Sequence, residues 1–436
     1  MSLRISVIGC GYLGAVHAAC MAELGHDVVG VDVDPHKVAE LSAGRAPFFE
    51  PGLPEVLARG VASGRLRFTT DVTEAAGAQV HFVAVGTPQA PGSHAADMTY
   101  VDAAVTALLP VLSAGDLVVG KSTVPVGTAA RLAELVRASS GADLAWNPEF
   151  LREGFAVADT LSPDRFVYGV PAGGRGEQAT ALLDEVYATP LEAGMPRLVT
   201  DYATAELVKV SANAFLATKI SFINAMAEIA EATGADVTQL ADAIGHDARI
   251  GRRFLNAGLG FGGGCLPKDI RAFQARADEL GLESLAFLAD VDAVNLRRRR
   301  RVVDLAAEML GTVEGARVAV LGMAFKPDSD DVRDSPALDV ARALHDLGAH
   351  VSVYDPEAAG TAARLAPELD YAGDLDTALA DAEIVLLLTE WQEFRRLDPD
   401  AVGALVASRR IVDARNVLDL VRWRAAGFEA RALGRP

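Results

Sequence analysis

The stretch Gly258-Leu-Gly-Phe-Gly-Gly-Gly-Cys-Leu-Pro-Lys-Asp269 sets one cysteine, Cys265, behind a run of glycines and just ahead of Lys268 and Asp269. Glycine gives up conformational entropy on folding and is tolerated where backbone must come close to something or take φ > 0. The run therefore predicts a ligand against this loop, with Cys265 facing it. A lone cysteine is ordinarily a small buried hydrophobe. Thiolate chemistry, however, needs substrate approach and a nearby charge arrangement, and glycines on one side with charges on the other provide both, so Cys265 is a candidate nucleophile. Two further groups point the same way. Asn147-Pro-Glu-Phe-Leu-Arg-Glu153 holds Glu149 and Glu153 on a stretch that Pro148 makes irregular. Lys209 and Asn213 are four apart in a helical, largely apolar stretch, so they share one face. A lysine there could simply snorkel; its pairing with Asn213 suggests an oxyanion clamp.

Elements that could position these groups are legible in the hydrophobic pattern. Over the first two hundred residues, short β-branched runs such as "RISVIG", "DVVGVD", "VHFVAVGTP" and "DLVVGKS" alternate with helical spacing, the signature of a parallel, doubly wound sheet. Tyr202 to Thr233 contains neither Pro nor Gly and reads as one long scaffold helix. "ARVAVLGMAF", "HVSVYD", "EIVLLLTEW" and "RRIVDARN" restart the alternation. The expected fold class is α/β, with two Rossmann-like doubly wound domains, 1–200 and 313–436, joined by an all-helical domain at 201–312. The two α/β ends could be distant versions of one unit.

Gly9-Cys-Gly-Tyr-Leu-Gly14 directly follows the first strand and opens a helix. In that context the glycines permit a tight turn and close pyrophosphate approach, and the helix N-terminus supplies amides and positive dipole. Asp32 ends the second strand, where a carboxylate accepts from ribose hydroxyls and repels a 2′-phosphate, which favours NAD over NADP. Cys10 and Cys20 read as packed small residues. Thr87-Pro88 is expected to end the fourth strand and Ser122-Thr123-Val-Pro125 the one after it, and strand C-termini are where ligands lie in an open α/β sheet, so Thr123 is a candidate on position alone.

Composition narrows the class. At 436 residues the chain exceeds one ordinary core. Its formal charge of −19 argues against nucleic-acid and anionic-membrane partners. The N-terminus starts on a strand-like run rather than a signal peptide, and no apolar segment is long enough to span a bilayer; a cytoplasmic enzyme is expected. Three cysteines without disulfide or CxxC spacing suit a reducing compartment and predict no metal. Arg297–Arg301 looks like a nucleic-acid patch, but five consecutive helical residues point all round the axis, so solvated or ion-paired arginines are expected instead.

Six motifs in order, GCGYLG, KSTVPVGT (121–128), NPEFLREG (147–154), ELVKVSANAFLATKISFINAMAE (206–228), GFGGGCLPKD (260–269) and GMAFKPDSDDVRDSP (322–336), resemble the nucleotide-sugar dehydrogenases, the UDP-glucose/GDP-mannose dehydrogenase family, over essentially the whole chain. The resemblance implies a four-electron oxidation of the sugar C6 alcohol to a carboxylate, consuming two NAD and one water, with Cys265 trapping the aldehyde as a thiohemiacetal that becomes a thioester. It implies catalytic roles for Cys265, Lys209, Asn213, Asp269, Thr123, Glu149 and Glu153. Lys209 and Asn213 would stabilise the oxyanion, Asp269 with Thr123 would handle protons, and Glu149 would assist hydrolysis. Whether Lys209 or an Asp269-bound water takes the first proton stays open.

The cofactor contacts it implies are Gly9, Gly11, Tyr12, Leu13, Gly14, Asp32, Lys37, Thr87, Pro88, Ser122, Thr123 and Glu153. Substrate contacts would come from Glu149, Phe150, Leu151, Arg152, Lys209, Asn213, Phe254, Gly258 and Gly262, with Lys326 and Arg333 in the crossover loop of the C-terminal domain. That loop lacks GxGxxG and leads to Ser335-Pro336, read as helix N-cap and first helical residue. The resemblance also implies a homodimer through the long helix, with Arg249 reaching in from the partner. Gly264, where relatives often carry serine, is expected to loosen the loop. Leu388-Thr-Glu-Trp391 looks like the branch acting on UDP-glucose, with GDP-mannose or a UDP-N-acetylhexosamine as the alternative.

Overall fold

The computed structural model describes residues 2–436. They fall into two compact units, 2–212 with Ala275–Gly281, and Asn213–Gln274 with Leu282–Pro436. The helical stretch 201–312 is thus shared between the two.

The first unit is built on eight strands: β1 (Arg4–Ile8), β2 (Asp27–Val31), β3 (Leu66–Thr69), β4 (Val80–Val83), β5 (Leu117–Gly120), β6 (Asp143–Trp146), β7 (Phe166–Gly169) and β8 (Arg197–Thr200). They lie in the order β3-β2-β1-β4-β5-β6-β7-β8, and every neighbouring pair is parallel except β6 with β7. A parallel sheet covered on both faces needs apolar residues at every position. Accordingly Ile5, Val7, Phe82 and Val119 point into one core, and Ile8, Val83, Val118 and Leu144 into another. The direction of strand addition reverses between β1 and β4, the switch point where ligands bind in such sheets. The strands end sooner than their apolar runs suggest: β4 stops at Val83 and β5 at Gly120, so Thr87-Pro88 and Ser122–Pro125 lie in the loops beyond. Cys10 and Cys20 are fully buried, and burial pushes the Cys20 thiol up to about 12; both are packing residues.

The uninterrupted pattern after Tyr202 forms one helix of 32 residues, Tyr202–Thr233, and the division between the units falls within it. The second unit adds helices Val237–Gly245, Leu266–Glu279 and Phe287–Leu310, then six strands: β9 (Arg317–Leu321), β10 (His350–Tyr354), β11 (Asp370–Tyr371), β12 (Ile384–Leu387), β13 (Arg410–Asp413) and β14 (Glu429–Ala432). All are parallel, in the order β11-β10-β9-β12-β13-β14. Counted from its own first strand, this matches the order of β3 to β6 in the other unit. Ser335 caps the helix Pro336–Asp346, with Pro336 at its start. Directly after β10, Asp355 is buried and accepts from the amides of Met323 (2.6 Å), Ala324 (3.0 Å), Glu357 (3.0 Å) and Ala358 (2.7 Å) and from Trp391 Nε1 (3.1 Å).

The arginine run lies on the helix Phe287–Leu310 and is ion-paired around its axis. Arg297 faces Glu228 (3.5 Å), Arg298 faces Glu231 (2.6 Å), Arg299 faces Asp334 (2.8 Å), and Arg301 bridges Glu231 (2.8 Å) and Glu308 (2.7 Å). Arg298 and Arg299 are buried, which the helical spacing alone did not reveal.

Candidate active site

The turn after β1 has the form a dinucleotide requires. The Gly9 amide donates to Val31 O (2.8 Å), and the Ala15 amide donates to Gly11 O (2.9 Å), starting the helix Tyr12–Glu23 at once. A Cβ on Gly14 would lie 1.8 Å from Gly9 O, whereas nothing occupies the 4 Å around the corresponding point on Gly11. The third glycine thus permits helix and turn to touch, and the second leaves its backbone open to a diphosphate. Asp32 sits at the end of β2, where it accepts from the amides of Cys10 (2.7 Å) and Asp34 (3.0 Å) and pairs with Lys37 (3.0 Å). These residues fit a bound NAD.

Tyr12 ties this turn to the segment after β6. Its hydroxyl donates to the buried Glu50, which also accepts from the amides of Gly154 (2.6 Å) and Ala156 (2.7 Å). Burial and then the Glu50 carboxylate push the Tyr12 phenol far above its ordinary value, with Glu153 contributing. Leu13 packs against the adjoining core.

Beyond β5, the Ser122 hydroxyl donates to Val85 O (2.6 Å) and the Thr87 hydroxyl to Thr123 O (2.9 Å). Glu206 on the long helix accepts from the amides of Gly127 and Ala129, both at 2.7 Å, fixing the start of helix Thr128–Ser140. Glu149 accepts from the amides of Phe150 (2.7 Å) and Leu151 (3.0 Å) and pairs with Lys121 at 3.0 Å. Burial opposes its ionisation, but the Lys121 charge and these amides outweigh it and hold the carboxyl below its ordinary value. The Lys209 ammonium stands 5.4 Å from the centre of the Phe150 ring, which brings those two together. Arg152 instead pairs with Asp159 (2.7 Å) and is largely exposed.

In the second unit, Cys265 is exposed and immediately precedes the helix Leu266–Glu279, an end that favours negative charge. The buried Asp269, in that helix's first turn, accepts from Asn213 Nδ2 (2.6 Å) and Lys268 Nζ (2.5 Å). The glycine loop is held from several sides. Asn224 accepts from the Gly258 amide (2.9 Å), and Asn295 both accepts from the Phe261 amide (2.7 Å) and donates to its carbonyl (2.8 Å). Arg299 also donates to Phe261 O (3.2 Å), and Arg415 donates to Gly260 O (2.9 Å).

The same loop interlocks with the crossover loop. The Gly263 amide donates to Arg333 O (2.9 Å), and a Cβ on Gly262 would lie 2.3 Å from Asp334 O. A Cβ on Gly264 would lie 2.4 Å from the Arg333 guanidinium carbon, so this glycine makes room for Arg333 rather than merely loosening the loop. Arg333 pairs with Asp331 (2.6 Å), and the Lys326 ammonium stands 5.4 Å from the Phe325 ring centre. Phe254 takes a left-handed φ of 64°. Arg249 is the most outlying of the expected site residues: its side chain is 89% exposed and pairs only locally, with Asp247 (2.6 Å).

Family models for the UDP-glucose/GDP-mannose dehydrogenases match in order along the chain: the NAD binding domain at residues 3–191, the central domain at 203–297 and the UDP binding domain at 319–420. The chain belongs to this family. The enzyme is an NAD-dependent oxidoreductase and its cofactor is NAD. It is 43% identical over 441 residues to a UDP-glucose 6-dehydrogenase of Rhizobium meliloti, covering 100% of both chains, and 42% identical to the UDP-glucose 6-dehydrogenase TuaD of Bacillus subtilis, covering 99% of this chain and 93% of that one. Among solved structures it resembles a UDP-glucose dehydrogenase of the archaeon Pyrobaculum islandicum (TM-score 0.91, 41% identity, covering 100% of this chain and 98% of that one). It also resembles a UDP-D-ManNAc dehydrogenase of Pyrococcus horikoshii (TM-score 0.87, 26% identity, 99% of both chains).

Sequence reasoning missed the residues that hold these groups in place: Glu50, Lys121, Glu206, Asn224, Asn295, Arg299 and Arg415. Lys121 stood inside a quoted motif, and a charged residue closing an apolar strand was the available signal. For Glu50 and Asn295 no local signal exists, because their partners lie 104 and 34 residues away.

Proposed function

We propose that the enzyme oxidises UDP-glucose at C6 to UDP-glucuronate in two steps. The observation that carries this reading is an exposed cysteine at a helix start, with Asn213 and Lys268 both donating to the buried Asp269 one helical turn away. Bound NAD supplies the hydride acceptor. Once the C6 alcohol has become an aldehyde, no second hydride can leave until a nucleophile adds to the carbonyl, and a thiolate is the best side chain for that task. Cys265 adds to give a thiohemiacetal, whose oxidation leaves a thioester that water hydrolyses. Lys209 and Asn213 stabilise the oxyanion, Asp269 and Thr123 move protons, and Glu149 and Glu153 serve the hydrolytic side. Lys326 and Arg333 hold the nucleotide sugar, with Phe254 and the backbone of Gly258 and Gly262.

We retain three functional domains, 1–200, 201–312 and 313–436. A homodimer through the long helix is supported by Phe215, Phe222 and Ile229, spaced by sevens and 66%, 50% and 58% exposed, an apolar seam of coiled-coil period. Arg249, turned to solvent in one chain, would serve the partner. A cytoplasmic location is supported by three cysteines that have neither CxxC nor disulfide-framework spacing.

The test is NADH formed per UDP-glucose consumed, at completion, with limiting sugar and excess NAD. A ratio of two is expected. A ratio of one would mean release at the aldehyde, and none would transfer the reading to GDP-mannose or a UDP-N-acetylhexosamine. A second outcome separates the two ligand sites. Asp32→Ala removes a charge-assisted acceptor, so NAD affinity should fall about ten- to a hundredfold with the KM for UDP-glucose little changed. Equal losses in both would refute the division.

A further inference from the structure

Lys121 has no role in the reading above, yet its surroundings are built around it. It directly follows β5, is 4% exposed, and places its ammonium 3.0 Å from Glu149 Oε2, 3.1 Å from Asn147 Oδ1 and 3.4 Å from the Tyr187 hydroxyl. The Tyr187 hydroxyl in turn donates to Asn147 Oδ1 (2.8 Å), and Asn147 Nδ2 donates to Val167 O (3.0 Å). The phenylalanine ring of Phe82 closes another side, 5.8 Å from the ammonium. A lysine desolvated this far is costly unless a charge partner and hydrogen bonds compensate. Here a single carboxylate supplies the charge, and that carboxylate is Glu149.

Lys121, Asn147 and Glu149, with His17, Asp159 and Arg165, also line a small cavity of about 10 Å³ whose other walls include the apolar Phe150 and Phe166. That is room for about one water molecule. Among the described residues, neither ring nitrogen of the fully buried His17 has a hydrogen-bond partner. Burial, with the Lys121 charge adding to it, holds this imidazole well below its ordinary pKa. It is therefore neutral and offers both a donor and an acceptor.

We propose that Lys121 is a positioning residue for the hydrolytic half of the reaction: its ammonium fixes the Glu149 carboxylate in one place and one charge state, so that Glu149 orients the water that cleaves the Cys265 thioester. This deepens, and rests on, the function proposed above. In the step, the water oxygen bonds to the thioester carbonyl carbon while one water proton passes through Glu149 to solvent and the other goes to the departing sulfur. The carbon–sulfur bond breaks with its electron pair on Cys265. The products are the carboxylate and the free cysteine, and no oxidant or reductant is consumed. The titratable and charged groups around Glu149 are Lys121 directly after β5, Tyr187 after the helix Gly174–Val186, His17 and Cys20 from the helix Tyr12–Glu23, and Asp159 and Arg165 on the same cavity. Lys121 is the cation within ion-pair distance.

Lys121→Met keeps the volume and removes the charge. The expected result is a fall in kcat with UDP-glucose of at least about tenfold, with the KM for UDP-glucose within about threefold. A lone buried carboxylate protonates more readily, so the acidic limb of the kcat–pH profile should move up by about one pH unit. Quenched enzyme should carry the sugar-nucleotide acyl adduct on Cys265 by intact mass, after a rapid burst of NADH. Lys121→Arg should restore most of the rate. If Lys121→Met does not fold, Lys121→Gln is read the same way. Unchanged kcat and pH limb, or a lost rate without adduct, would overturn the proposal. If Glu149→Gln accumulates adduct while the Lys121 variants do not, the role of Glu149 stands and that of Lys121 falls. If the unmodified enzyme forms no NADH from UDP-glucose, GDP-mannose or a UDP-N-acetylhexosamine, the functional reading fails and takes this one with it.

Discussion

Serine in place of Cys265 should stop steady-state oxidation to the acid, lowering kcat by about a thousandfold or more, while NAD and UDP-glucose still bind. A serine hydroxyl is a far poorer nucleophile near neutral pH than a thiol, and the loop's one amine, Lys268, is engaged with Asp269. The first turn of helix Leu266–Glu279 is closed by the Asp269 amide donating to Cys265 O (3.0 Å), a backbone bond that the substitution keeps. Binding measured by calorimetry beside turnover measured as NADH separates the two effects. A near-normal turnover in this variant would sink the nucleophile assignment.

Arg299→Met should be the most damaging change within the arginine run. The guanidinium, 7% exposed, pairs with Asp334 (2.8 Å) and with Asp339, and it also donates to the carbonyls of Phe261 (3.2 Å) and Asp334 (3.4 Å). Its removal leaves Asp334 with only the Arg271 pairing (3.1 Å) and releases one of the anchors of the cysteine loop. Breaking a buried pair on one side costs about 3 kcal/mol, which for a unit of this size lowers Tm by about 6 to 12 °C. Arg297→Met, two residues away and 54% exposed, should change stability by no more than about 0.5 kcal/mol. Calorimetric unfolding of both variants decides the matter, and equal losses would show that Arg299 holds nothing special.

These two arginines illustrate what the sequence could and could not disclose. The turn at Gly9–Gly14, Asp32, the 32-residue helix and the Ser335 cap were legible because each is a local pattern: glycine spacing after an apolar run, a carboxylate at a strand end, absence of breakers, Ser before Pro. Cys265 stood out for the same reason. The first sheet exceeded expectation by its antiparallel β6–β7 step, which no short-range signal marks. Lys121, Glu50, Asn295 and Arg299 act through partners on other elements, and their meaning appears only when topology brings those partners within hydrogen-bond range. Arg297 and Arg299 are the same letter in the same run, separated in fate by a 200° turn of the helix.

The shared strand order of the two sheets has a further consequence. Gly322 donates to Tyr354 O (2.8 Å) just as Gly9 donates to Val31 O (2.8 Å), and Asp355 follows β10 as Asp32 follows β2. Asp32, however, meets two backbone amides and the ammonium of Lys37, a partner whose flexible stem lets it give way to an incoming hydroxyl. Asp355 meets five fixed donors, more than a carboxylate's four or so acceptor positions, and the helix behind its turn does not begin until Pro336. Restoring glycines at Ala324 and Pro327 would therefore not convert the second turn into a dinucleotide cradle. The two sheets share a strand order but differ in how many fixed donors hold the carboxylate after the second strand, and a graft of specificity from one to the other would have to begin by emptying Asp355.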